Sequence, residues 1–203
     1  MNKWCKIGLA LVVLAMAGGA TALWLFVRYG VSARDQPTAI EAFVARQVRH
    51  LAVPRSARQA QNPIPATPEV LAEARAHFAD HCALCHGNDG SGQTEIGKNL
   101  YPKAPDMRQA DTQSLSDGEL FYTIHNGIRL TGMPAWGDGP PEQDQDSWKL
   151  VHFIRHLPKL SQKELQEMKQ LNPKSPGEME EEEEEQKFLQ GDDSPSTPSQ
   201  HHH

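Results

Sequence analysis

The sequence predicts an all-α protein, a small helical domain preceded by one apolar N-terminal helix. Two observations carry this. Wherever apolar residues form a pattern they recur at steps of three and four, and no stretch alternates with period two. Helix start and stop signals also recur along the chain, with Ser, Thr and Pro at beginnings and Gly or Pro at ends. The chain has 203 residues, of which 38% are hydrophobic and 6% aromatic. Part of that hydrophobic share sits in the N-terminal segment, so the core of the soluble domain must be small. A small core often needs a covalent or cofactor staple.

Residues 1–30 form the first segment. The 21 residues from Ile7 to Val27 are apolar or small, with Lys3 and Lys6 before them and Arg28 after. That length crosses a bilayer as a helix. A cleaved signal peptide is the rival reading, because Ala20-Thr21-Ala22 resembles a cleavage site. The apolar run continues past it through Leu23 to Val27, which is long for a signal and favours an uncleaved anchor. Trp24 and Tyr29 suit an interfacial aromatic belt.

Residues 31–66 read as an amphipathic helix and a proline-rich linker. Ile40, Phe43, Val44, Val48 and Leu51 keep helical spacing between Ala39 and Ala52, and Val53-Pro54 ends the run. "RSARQAQNPIPATP" then reads as linker.

Residues 67–172 read as the compact domain with a C-terminal helical extension. Pro68 and Glu69 open a helix that carries Val70, Leu71, Ala74, Phe78 and Cys82 and stops at Gly87. Residues 88–111 read as loop. Ser116 and Glu119 form a capping box before Leu120, Phe121 and Ile124, and Asn126-Gly127 closes that helix. Ser147 is the expected cap of a third helix presenting Trp148, Val151, Ile154 and Leu157, which Pro158 ends. Ser161 and Glu164 open a fourth with Leu165, Met168 and Leu171.

Residues 173–203 read as an acidic, disordered tail. Nine carboxylates and two lysines follow Asn172, a net of −7, so the rest of the chain carries +1 of the total −6. No basic cluster is present, which argues against a nucleic-acid partner.

The chemistry sits in "HCALCHGNDGSG", residues 81–92. Of three cysteines only Cys82 and Cys85 pair, so one chain cannot build a four-cysteine zinc site. A redox dithiol or zinc half-site does not need a histidine next in line. Two thiols at this spacing can add across two haem vinyl groups, and His86 is then delivered to the iron. Such a haem wants a sixth ligand, and "LTGMPAWG" places Met133 in a Gly/Pro loop 47 residues after His86. A methionine flanked by helix breakers is a poor core residue, but its thioether can fill the second axial position. Met107 is the other methionine to consider. His77 and His81 lie on the helix entering the motif, too near the proximal side to reach the distal one. His125, His152 and His156 are expected to face solvent, and His50 lies outside the domain.

With "CALCHGNDGSG", "GIRLTGMPAWG" and "DSWKLVHFIRHL" in place, the chain resembles a membrane-anchored class I c-type cytochrome of bacteria over about residues 67–160. The resemblance implies a small cytochrome c-like helical domain around one covalent haem c. Cys82 and Cys85 would be the thioether attachments, with His86 and Met133 as axial iron ligands. It also implies a proline carbonyl holding the histidine ring, and Pro102 and Pro105 both qualify. Asn99, Tyr101, Arg108 and Trp136 are candidates for the haem rim. Haem attachment on the outer side of the inner membrane implies a single-pass protein with the haem domain in the periplasm.

With both axial positions filled, the expected role is an electron carrier and not an enzyme. It would have redox protein partners and a membrane, and no small-molecule substrate. The alternative is the cytochrome subunit of a larger periplasmic dehydrogenase or terminal oxidase complex.

Overall fold

The structure, a computed structural model, describes residues 2–30, 32–174 and 176–189. It is helical, with no strand among the described residues. Helix α1 (Lys3–Tyr29) contains an 18-residue stretch with a mean hydropathy of 2.2, none of which is buried in the protein. It is long and apolar enough to cross a membrane. Helix α2 (Ala39–Ala52) keeps the expected bounds and starts on a capping box between Thr38 and Glu41.

The segment expected to be linker is packed instead. It holds a short helix, α3 (Arg55–Gln59). The Arg58 carbonyl accepts from the Ser116 hydroxyl at 2.8 Å, and the Asn62 amide donates to the Trp148 carbonyl at 2.9 Å. A Cβ on Gly118 would stand 1.8 Å from the Ala57 carbonyl oxygen, so the bare glycine is what lets α3 lie this close. Prolines here set a rigid path across the domain surface and do not free the chain from it.

Helix α4 (Pro68–His77) starts with the Thr67 hydroxyl accepting from the Val70 N–H. It passes through a π-helical turn (Phe78–Cys82) into α5 (Ala83–His86). The loop that follows contains two short helices missed by periodicity, α6 (Glu95–Asn99) and α7 (Ala110–Gln113). Each is little more than one turn, too short to show an apolar repeat. Helix α8 (Asp117–Asn126) has the expected Ser116/Glu119 capping box, and Gly127 ends it at φ 64°.

Helix α9 (Gln145–His156) begins earlier than the Ser147 cap predicts. Asp144 is the cap, accepting from the Ser147 N–H at 2.9 Å, while Ser147 is buried in the first turn. Both residue types cap well. Asp144 wins because its other oxygen also holds His125, 2.6 Å away.

Helix α10 (Gln162–Leu171) opens on Ser161 and Glu164. Its Met168 is fully buried, whereas Leu171 is exposed. Helix α11 (Pro176–Leu189) replaces the expected disorder in the first part of the tail, where Glu, Gln, Lys, Met and Leu all favour helix. The remainder of that expectation, residues 190–203 with the terminal histidines, lies outside the described residues.

The core lies between α4, α8 and α9. Phe78 meets Phe153 at 4.9 Å between ring centroids, and Phe121 stacks on Trp148 at 4.1 Å. Leu150, Val151, Phe153 and Met168 are all at most 2% exposed. Each such side chain contributes about 1.5–3 kcal/mol by burial.

Candidate functional site

The end of α5 is where the cysteine motif stops being helix, and its last carbonyls need partners. The following loop supplies them. Gly87 N–H donates to the Ala83 carbonyl at 2.8 Å, Gly92 N–H to that of His86 at 2.7 Å, and the Thr94 hydroxyl to that of Cys85 at 3.1 Å. A Cβ on Gly97 would stand 2.1 Å from the Cys85 oxygen, so this loop is folded tightly over the motif. Cys82, Cys85 and His86, held by this loop, line a cavity of about 250 Å³.

Met133 lines the same cavity from the loop between α8 and α9. Its backbone is held at both ends. The Met133 N–H donates to the Thr131 hydroxyl at 3.1 Å, and its carbonyl accepts from the Ile128 N–H at 3.1 Å. The rest of the lining is mainly apolar, with Leu100, Leu120, Ile124, Leu150 and Ile154 prominent. Met107 also reaches it.

The electrostatics separate the chemistries open to a CxxC pair. Burial, with a smaller contribution from Cys85, pushes the Cys82 thiol up to about 12, and burial raises Cys85 as well. A redox dithiol needs the opposite shift, toward thiolate. Among the described residues no group of three His, Cys, Asp or Glu side chains converges as a metal site. Burial lowers the His86 pKa, against a smaller upward pull from the Pro105 carbonyl, so the imidazole is neutral and able to ligate. Of the two candidate prolines, Pro105 is thus the one acting on the ring. The contact is not closed into a hydrogen bond of normal geometry, and His86 Nδ1 is buried without a partner. Neutral imidazole, thioether, two protonated thiols and an apolar wall together fit a haem.

Residues 69–154 match the family described as cytochrome c oxidase, cbb3-type, subunit III. This segment is a c-type cytochrome domain. Electron transfer through a covalently bound haem, with redox partners, goes with that class. Over 84 residues the chain is 30% identical to a thiosulfate dehydrogenase of Psychrobacter arcticus. That similarity covers 40% of this chain and 24% of that protein, so the chain spans about a quarter of the relative's length.

The cytochrome domain places the remaining candidates differently from one another. Trp136 lines the cavity, with its ring 5.5 Å from that of His81. Asn99 turns back to the Glu95 carbonyl at 2.8 Å. Arg108 is spent on Asp106 and Asp89, at 2.8 and 3.0 Å. The Tyr101 hydroxyl donates to Glu41 of α2.

Two cations that sequence reasoning passed over, Arg49 and Lys103, line the cavity instead. Arg49 stands outside the domain in sequence, and only the docking of α2 brings it in.

The histidines also depart from expectation. His125 is buried, paired to Asp144 and stacked on Phe121. His152 donates to the Ile64 carbonyl, and His156 meets Glu164 at 2.8 Å. His50 reaches the domain through Glu119 at 3.0 Å. Each partner comes from a segment distant in sequence or from a neighbouring turn, which helical periodicity does not encode.

Proposed function

We propose that the chain is a monohaem c-type cytochrome carrying single electrons on the periplasmic face of the inner membrane in a respiratory chain. In this reading α1 is an uncleaved single-pass anchor and residues 67–172 are the haem domain. One observation carries it: a single cavity is lined by Cys82, Cys85 and His86 together with Met133, whose backbone is held by hydrogen bonds on both sides.

When bound, haem c supplies a one-electron ferric–ferrous couple. The residues do the rest. Cys82 and Cys85 would hold the group by thioether bonds. His86 would ligate the iron with its ring set by the Pro105 backbone, and the orientation of such a ring tunes its basicity. Met133 would supply the second iron ligand, which would leave no open site for a substrate. The apolar lining keeps water out, which favours the less charged, reduced state. Arg49 and Lys103 offer positive charge to the haem carboxylates.

A second reading, a cytochrome subunit of a larger periplasmic dehydrogenase or terminal oxidase complex, is favoured by the two comparisons. One matched family is named as an oxidase subunit, and the relative is named a dehydrogenase.

Purification from membranes separates the readings. A lone carrier is extracted by detergent as a single red chain reducible by quinol-side donors. Co-purification in fixed stoichiometry with other chains supports the subunit reading. An N-terminus just after Ala22 on a carbonate-soluble protein would overturn the anchor.

A further inference from the structure

Helix α2 is docked with its polar side inward. At 100° per residue Ala42, Arg49 and Val53 fall on one side, and these are the positions the protein shields, with Val53 only 6% exposed. The opposite side carries Ile40, Val44, Val48 and Leu51, with Phe43 beside them, all between 49% and 77% exposed. Besides Ala42 and Val53, the contacts to the domain are polar: Glu41 with Tyr101, His50 with Glu119, and Arg49 at the cavity. A helix on a soluble domain turns its apolar stripe to the core. Here five large apolar side chains form a continuous outward stripe, of the kind that marks an interface.

The surroundings say what covers it. The helix begins just beyond Gly30 to Thr38, a connection that spans at most about 30 Å from the end of the bilayer-length α1. From Arg28 to Ala52 the chain carries four arginines against two carboxylates, Asp35 and Glu41. Apolar residues on one face and arginines toward the other describe a helix lying in an anionic lipid interface.

We propose that α2 lies in the membrane surface with its Ile40, Val44, Val48 and Leu51 stripe in lipid, while its opposite side latches the haem domain beside the cavity. The proposal rests on the membrane reading of α1. It sets the haem directly behind an interfacial helix, close to the bilayer.

The test uses the full-length holoprotein with Cys5→Ser, in nanodiscs of phosphatidylethanolamine and phosphatidylglycerol. Cys82 and Cys85 are blocked as thioethers. A nitroxide label is placed singly on Val44→Cys, Val48→Cys, Trp24→Cys or Lys163→Cys. Collision with oxygen and with a nickel chelate is measured with the haem reduced and diamagnetic. The expected result is that labels at 44 and 48 favour oxygen, like the label at 24, while the label at 163 favours nickel. If 44 and 48 match 163 while 24 remains lipid-exposed, the α2 proposal is overturned and the anchor stands. If 24 also favours nickel, both fall. Shielding of 44 and 48 from both reagents would mean that a protein covers the stripe, and would equally overturn the lipid assignment.

Discussion

Gly127 follows α8 at φ 64°, and a Cβ built there would meet the Pro134 carbonyl carbon at 2.5 Å and the Ala135 nitrogen at 2.6 Å. These atoms belong to the loop that carries Met133. In Gly127→Ala the backbone alone, at φ 64° and ψ −170° in a region essentially confined to glycine, costs about 1–3 kcal/mol. For ordinary contact to begin at 3.4 Å, Pro134 must also retreat by about 0.9 Å. Overpacking of that kind adds about 1–3 kcal/mol.

Gly139 is the internal control, because it too has a positive φ, 72°, but nothing within 4 Å of a Cβ built there. Thermal unfolding of the holoprotein should therefore fall further for Gly127→Ala than for Gly139→Ala. The conversion is roughly 4–8 °C per kcal/mol in a domain of this size. The oxidised Gly127→Ala protein should also lose intensity in the weak near-infrared thioether-to-iron band, which Gly139→Ala keeps. Equal melting losses with an intact band would refute the argument that Gly127 seats the methionine loop.

Two further outcomes follow from the site and its supports. Replacing Cys82 and Cys85 together by alanine should leave no colour after acid–acetone extraction and denaturing electrophoresis, whereas the native chain stays red. Colour lost from the native chain would sink covalent attachment. Burial would raise the Glu164 carboxyl, but the Ser161 N–H, the Ser161 hydroxyl and His156 outweigh it and hold the carboxyl at about 2, against an ordinary 4.5. A depressed carboxyl stabilises the fold above its unfolded value, so this contribution is full above pH 4.5 and is lost as pH falls toward 2. Glu164→Gln should flatten the acid limb of stability across that window, and an unchanged acid limb would contradict the assignment.

Much of the fold was legible because its signals are local. Capping boxes at Ser116 and Ser161 and the stop at Gly87 are written within a few residues, and the structure keeps them. The cysteine motif and Met133 were legible for the same reason, and they line one cavity. What was missed depends on distant partners. Asp144 takes the cap from Ser147 because His125 completes its hydrogen bonds. Arg49 reaches the cavity only because α2 docks by its polar side. The proline-rich stretch is ordered because Ser116 and Trp148 engage its backbone and side chains.

With Met133 and His86 as its two iron ligands, the protein would be a carrier and not a catalyst. Carbon monoxide titration of the reduced protein tests it most directly. No binding is expected to the native chain, and stoichiometric binding to Met133→Ala. If Met133→Ala still excluded carbon monoxide, Met107 on the same cavity would be the ligand. Stoichiometric binding to the native chain would contradict the claim and place an open, catalytic iron ahead of electron transfer.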